Sequence, residues 1–527
     1  MLSPVSPPTR RNRTGRRAWT LERLEERAVP ATITVTSLAD DGPGTLRAAI
    51  TQANADTAAD TILFAQDVRG TITLETALPD LSTTINIQGP GAKDLTVARN
   101  VWTSTPFSTF EVVQGADVIL SGLTITGGTS LTAGGGINNS GELVVSNCTV
   151  SGNRGEYGGI SNVDSGYLTI VDSTISGNRG PSFFGGGIYN SQSSTLAIHR
   201  STISGNDSGT MGTSSGGGIN NRGLMGITNS TISGNKTMGS GGGIYNGGTL
   251  TIISSTISGN ATTDYRGSGE GGGIFNSGSM NILSSIVSGN KSSIGPMDIS
   301  GAGNSLGYNI FFDVPDISLN PTDQTRTDAM LAPLADNGGP TFTQALLPGS
   351  PAIDSSVTIN GVNTDQRNVP RPQGNAPDIG AFEAVGVVGA RPTVVSLVRS
   401  SLRNQPTKLV LTFSAAMSSA NAQDVSNYTL VPSGPAGRTR LHTRPIPITS
   451  AVYDPAAKTV TLTSRRLDAR AYFRLTASGT PPAGLKSPNG VFLDGSGRGL
   501  PGSNYVAVIH GARALAPREN LAIKTGP

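Results

Sequence analysis

Three charged residues stand close together at Asp264, Arg266 and Glu270. Two carboxyl groups beside a guanidinium are the groups that proton transfer at a sugar ring, or an ionic grip on a polymer, would use. They fall in the longest insertion between two repeated phrases, so they also read as a solvated loop. The other acids of that region are Glu142, Glu156, Asp164, Asp172 and Asp207. They do not recur at one position of the repeat, so the register sets no carboxylate pair on one face, and no catalytic residue is assigned. His199, His442 and His510 lie far apart in sequence, and a lone histidine packs or faces solvent more often than it ligates. His199 follows the inward Ile198 and should point outward.

The single cysteine, Cys148, excludes an internal disulfide and a multi-thiolate zinc site. It takes the place held in later repeats by Ser173, Ser201, Ser230, Ser255 and Ser285, so it reads as a small packed residue. The run Asp494-Gly495-Ser496-Gly497-Arg498-Gly499 has some features of a calcium loop, but Arg498 and the shortage of carboxylates stand against it. No metal or cofactor site is read elsewhere. Two arginine clusters remain: Arg438, Arg440 and Arg444, then Arg465, Arg466, Arg470 and Arg474. Arg465 and Arg466 are the ligand contacts expected there, for an anionic partner.

What must position these residues is a repeat running from about Gly134 to Asn290. Gly-Gly-Gly-Ile-x-Asn, as at Gly185–Asn190, Gly241–Asn246 and Gly271–Asn276, alternates with Ser-Thr-Ile-Ser-Gly-Asn, as at Ser173–Asn178, Ser201–Asn206, Ser230–Asn235 and Ser255–Asn260. The closing asparagines, Asn153, Asn178, Asn206, Asn235, Asn260 and Asn290, are 25, 28, 29, 25 and 30 residues apart. Each unit holds three short alternating segments with Gly and Asn at the joints, too short for helices and for a four-stranded propeller blade. That is one coil of a parallel β-helix. Four apolar columns follow in register. They start at Ile137, Leu143, Val145 and Val150 and continue as Ile160, Leu168, Ile170 and Ile175 in the next coil. These point inward and stack. The asparagine columns read as ladders of stacked amides. The gaps between each Asn corner and the next Gly run vary, at Arg154–Tyr157, Arg179–Phe184, Asp207–Ser215, Lys236–Ser240 and Ala261–Glu270, and should crowd one side.

The rest of the chain follows from this body. Residues 1–30 carry seven Arg and three Glu without an apolar core segment, so no ordinary secretory signal is read. No stretch is apolar enough to span a membrane. Thr45 can cap a helix through about Ala55 with Leu46, Ala49, Ile50 and Ala53 on its apolar side, covering the open N-terminal end. Early coils are expected at Thr61–Phe64, Thr71–Leu74, Thr84–Ile87, Phe110–Val113 and Val118–Ile125, and irregular coils with a closing cap over 291–386. Residues 391–510 alternate in short segments with frequent turns, as in a β-sandwich, and 511–527 read as a tail. The fold class is therefore all-β: a right-handed parallel β-helix over 31–386, with regular repeats over 134–290, then an Ig-like β-sandwich. Net charge is −13 over 31–390 and +12 over 391–527. The acidic body argues against nucleic acid as a partner, and the basic module suits an anionic surface.

The Gly-Gly-Gly-Ile-x-Asn and Ser-Thr-Ile-Ser-Gly-Asn phrases resemble those of right-handed β-helix proteins of the pectin-lyase-like superfamily and of polymorphic outer-membrane-protein repeats. Leu21-Glu22-Arg23-Leu24-Glu25-Glu26-Arg27-Ala28-Val29-Pro30-Ala31 resembles an N-terminal signature of planctomycete surface proteins. Gly44-Thr45-Leu46-Arg47-Ala48-Ala49-Ile50 resembles the opening of many bacterial surface β-helices, with Ala48 where those carry Glu. Asp336–Pro340, Pro348–Asp354, Asp365–Arg367 and Asp378–Glu383 resemble the closing region of "choice-of-anchor" surface β-helices, and Leu411–Met417 with Asn427-Tyr428 resembles bacterial Ig-like domains. The resemblance implies an exported cell-surface or envelope protein, and the absence of a repeated or clustered acid/base constellation favours a non-enzymatic spacer, adhesin or glycan contact. Relatives of this fold that cleave polyuronates use clustered acids, some with calcium, so a polysaccharide lyase or glycoside hydrolase is the alternative. The expected partner is a polysaccharide or an anionic envelope component.

Overall fold

The computed structural model describes residues 30–385 except 181–183, 210–214, 264–268 and 296, and residues 392–514 except 401–404, 436–443, 482, 489, 498–501 and 512. Residues 1–29, Asp264, Arg266, Arg438, Arg440, His442, Arg498 and residues 515–527 lie outside the described residues; the tail expected from 511 begins later, because Arg513–Ala514 still pairs as a strand with Tyr505–His510.

Alternation of aliphatic and small polar residues produces three long parallel sheets. The first has twelve strands, from Thr32–Val35 through Glu142–Ser146 to Ile317–Ser318. The second has eight, from Phe110–Val112 to Ile299–Ser300, and the third eleven, from Gly70–Leu74 to Gln324–Thr325. Each coil contributes to the sheets in turn, so the chain is a right-handed parallel β-helix. The register is that of the sequence columns: Ile188 pairs with Ile219, Leu196 with Met225 and Ile203 with Ile232. These inward residues are fully buried or nearly so and form one core from Ile33 to Ile317. Burying each aliphatic contributes roughly 1.5–3 kcal/mol.

The polar joints are load paths between coils. Asn178 Nδ2 donates to Asn206 Oδ1 at 3.0 Å, and Asn206 Nδ2 to Asn235 Oδ1 at 2.9 Å. A second ladder joins Asn162, Asn190, Asn221, Asn246 and Asn276. The glycine runs follow from these ladders. Gly216 has φ of +72°, and a side chain on Gly218 would approach the Asn235 carboxamide to 3.0 Å. Serines hold the third column, where Ser201 N donates to Ser230 Oγ at 3.2 Å. Cys148 in that column is buried, and burial pushes its thiol up to about 12, so it packs rather than attacks.

The helix Leu46–Ala53 is capped by Thr45, which accepts the N–H of Ala48, and buries Leu46, Ala49, Ile50 and Ala53 as the pattern requires. The segment expected as one strand over Val118–Ile125 is two, Asp117–Ser121 and Thr124–Thr126, because Gly122 turns the chain at φ +64°. Leu95–Arg99 is an additional strand of the third sheet. No helix among the described residues is long and apolar enough to cross a membrane.

The region 291–386 begins with irregular coils, as expected, but its closing stretch is a strap along the side of the stack. Coils continue to Gln324–Thr325, and residues 326–385 then fold back as a strap over the outward face of the third sheet. Thr202 Oγ1 donates to Phe342 O at 2.6 Å, Thr231 Oγ1 to Gln366 Oε1 at 2.6 Å, and Ala381 N to Thr256 Oγ1 at 3.1 Å. The outward column of that sheet explains the docking. It reads Thr202, Thr231 and Thr256, then changes to Ile286 and Ile310, and these pack with Ala329, Leu346, Ala352, Ile379 and Phe382.

The C-terminal module is two four-stranded antiparallel sheets, consistent with an Ig-like sandwich. One holds Val394–Ser400, Thr407–Phe413, Thr459–Ser464 and Ile448–Asp454; the other holds Tyr428–Ser433, Tyr472–Ala477, Tyr505–His510 and Arg513–Ala514. Leu409, Leu411, Phe413, Leu430, Leu462, Phe473, Leu475 and Ile509 fill the space between them.

Candidate functional site

The site is built on the outward face of the second sheet. Because Ile137, Ile160 and their successors point inward, the residue after each points out. Register then lines up Glu111, Asn138, Ser161, Tyr189, Asn220, Tyr245, Phe275 and Ser300 in one column. The insertions flank this column. Their first residues, Arg154, Arg179, Asp207, Lys236, Ala261 and Lys291, bridge coil to coil, so all leave the helix at a single corner.

Polar residues hold the N-terminal end. Gly134 N donates to Ser161 Oγ at 2.8 Å, Ser161 Oγ to Asn138 Oδ1 at 2.5 Å, and Asn138 Nδ2 to Glu111 Oε1. A cleft of about 580 Å³ opens here, with Asp80, Ser108, Glu111, Ser130, Thr132, Asn138, Tyr157 and Asp164 in its walls. Burial raises the Glu111 carboxyl above its usual range; the Asn138 bond opposes this and the charge of Asp80 adds to it.

Aromatic rings continue the surface. Tyr157, from the first insertion, stacks on Tyr189 at 4.6 Å between centroids, and Phe184, from the second, meets both edge-on. Arg222 lies over the Phe184 ring at 5.2 Å, and Tyr245 stacks on Phe275 at 5.4 Å. The face can therefore stack flat, partly apolar ligand surfaces and offer hydrogen bonds at one end.

Of the residues singled out from sequence, Glu270 lies at the opposite end of this column. Its Oε2 accepts from Ser300 Oγ at 2.7 Å and its backbone N–H donates to Ser240 Oγ at 3.3 Å. Arg465 and Arg466 are exposed in the connection that carries the chain from Thr459–Ser464 in one sheet of the sandwich to Tyr472–Ala477 in the other. His199 holds the outward position expected but is half-buried, and burial, with Arg200 beside it, lowers its pKa. No group of three or more His, Cys, Asp or Glu among the described residues is arranged to hold a metal ion.

Asp80, Glu111 and Tyr157 were not found by the sequence argument. Its columns began at Ile137; one coil earlier, Phe110 holds the same inward position and puts Glu111 in line with Asn138. Asp80 and Asp164 reach the cleft from connections between strands, whose course the repeat does not set.

The densest set of titratable groups is elsewhere, inside the strap. Arg367 pairs with Asp365 at 2.7 Å and Arg371 with Glu383 at 3.0 Å, all nearly sealed from solvent. Asp378 accepts the N–H groups of Asp354 and Ala384, and burial pushes it up to about 7. Every one of these side chains is hydrogen-bonded within the strap, so the set locks its shape.

A family model described as "Right handed beta helix region" matches residues 82–223. No curated protein matches the chain. A solved structure titled "Crystal structure of pectate lyase Pel9A" is 15% identical, covers 68% of this chain and 97% of that one, and superposes with a TM-score of 0.42, which carries no argument about activity.

Proposed function

We propose that this is an exported surface or envelope protein whose β-helix is a rigid spacer carrying a glycan-contact face. The observation that carries the reading is the outward face of the second sheet, where Tyr189, Tyr245 and Phe275 of the column, with Tyr157 of the first insertion stacked on Tyr189, run on from a polar cleft. Sugar rings pack their C–H faces on aromatics and direct hydroxyls to polar walls, which is the division seen along this face. The basic sandwich would hold the molecule to an anionic envelope component. The closing phrases and N-terminal signature described above favour that location, as surface β-helices with varied anchors.

A second reading is a glycoside hydrolase or lyase. Asp80 and Glu111 share one cleft, and Glu111 is held above the ordinary carboxylate range, as a general acid requires. A polysaccharide array run beside assays for new reducing ends and unsaturated products separates the two. Binding without turnover supports the contact protein. Turnover that disappears in Glu111→Gln supports the enzyme, and no binding on the array removes both.

A further inference from the structure

We infer that the cleft selects a cationic saccharide, a chain bearing free amino groups on its sugars, and turns away polyuronates. The inference rests on the glycan reading above and concerns what that site accepts.

The charge of the cleft is one-sided. Asp80, Glu111 and Asp164 stand in its walls, and no Lys, Arg or His does among the described residues. Two of them take neutral partners: Glu111 takes the Asn138 amide and Asp164 the Ser140 hydroxyl at 3.5 Å. The ion pairs Arg47–Asp40, Arg69–Asp94, Arg200–Asp172, Arg367–Asp365 and Arg371–Glu383 lie elsewhere. Each further carboxylate brought into such a space meets like charge, most strongly at the partly buried Glu111, whereas an ammonium supplies a counter-charge. The upward shift of Glu111 agrees with a carboxylate that lacks a cation.

A saccharide is favoured over a lysine-rich peptide by what surrounds the acids. Tyr157 presents a half-exposed ring already stacked on Tyr189, and Ser130 and Thr132 offer hydroxyls for sugar oxygens. Charge fixes the amine, and the ring and hydroxyls fix the sugar.

The test uses the full chain and calorimetry with three oligosaccharides of equal length: glucosamine, its fully N-acetylated form and galacturonate. A fourth ligand is an oligolysine. The glucosamine oligomer should bind at least roughly tenfold tighter than the acetylated one, since a charge-assisted contact is lost on acetylation. Asp80→Asn and Glu111→Gln should each remove most of that preference, read as the ratio of the two affinities in the same variant. Tyr157→Ala should weaken both sugars. Equal binding of the first two sugars would overturn the charge inference and leave the glycan reading standing. Binding of galacturonate, with or without calcium, or tighter binding of oligolysine, would overturn it as well. Failure of all three sugars would remove the glycan reading of this cleft along with it.

Discussion

Gln366 Nε2 donates to Thr202 Oγ1 at 2.9 Å although 164 positions of chain separate them. The same nitrogen reaches Thr341 Oγ1 at 2.9 Å, and Gln366 Oε1 accepts from Thr231 Oγ1 at 2.6 Å. One fully buried amide thus ties the strap to two successive coils. Gln366→Leu should leave buried hydroxyls short of partners and cost about 1–3 kcal/mol. Hydrogen exchange should accelerate in the strap while the coils stay protected. Unchanged exchange in the strap would show that the amide does not hold it.

Ile286 offers a test against the consensus of the repeat. Earlier coils have Thr at this outward place, and Ile286→Thr would restore the common phrase. Ile286 is fully buried under Ala329, Leu346, Ile379 and Phe382, so the change should destabilise by about 1–3 kcal/mol. Urea unfolding checks it. A neutral or stabilising result would mean that the strap does not need this apolar seat.

The asparagine ladder predicts an asymmetric response. Asn206 Oδ1 accepts from both Asn178 N and Nδ2, while its own Nδ2 donates to Ile175 O and Asn235 Oδ1. Asn206→Asp keeps the acceptor and sets a buried carboxylate against two oxygens. The expected cost is several kcal/mol. A thermal melt close to that of the parent would place the contribution of the ladder near zero.

These residues also mark how far the sequence could be read. Period and alternation give the inward columns directly, because stacking the same slot on every coil is what buries them, and Ile188, Ile219 and Ile244 pair as the spacing requires. The strap was not legible in the same way. Its contacts depend on Thr-to-Ile changes at Ile286 and Ile310, and on turns in a stretch with no periodicity. The cleft was partly legible. Glu111 follows from phasing one coil earlier, but Asp80 and Asp164 enter from connections whose paths are set by packing. Of the insertion residues expected to contact ligand, Glu270 is tied to Ser300 and Ser240.

Stability should fall as pH rises from about 4 to 7. Asp378 is held at about 7 against a usual 3.8, chiefly by burial, and burial also raises Glu383 and Asp298. Across that window the folded state binds more protons than the unfolded chain, so the unfolding free energy declines with pH. The contribution is present below the unfolded value and lost through the folded one. Asp378→Asn should flatten the slope in urea titrations at pH 5 and pH 8. A parent protein equally stable at both would contradict the assignment.

The sandwich carries the last prediction. Arg465 and Arg466 are exposed on the connection between its two sheets, with Arg470 close in sequence, in a module of net charge +12. Asp468 is the single acid among residues 465–470 against Arg465, Arg466 and Arg470, so this connection carries a positive excess. A basic exposed surface serves solubility whether or not it meets a partner. Docking differs in its salt dependence, because exposed charges are screened beyond about 8–10 Å at physiological ionic strength. The full chain should bind an anionic polysaccharide at low salt and release it as salt rises. Reversing both residues to Glu changes the local charge by four and should abolish low-salt binding, while the melting temperature stays within a few degrees of the parent's, as exposed ion pairs contribute only ~0–1 kcal/mol. Binding indifferent to salt and to the reversal would leave these arginines with a solubility role alone.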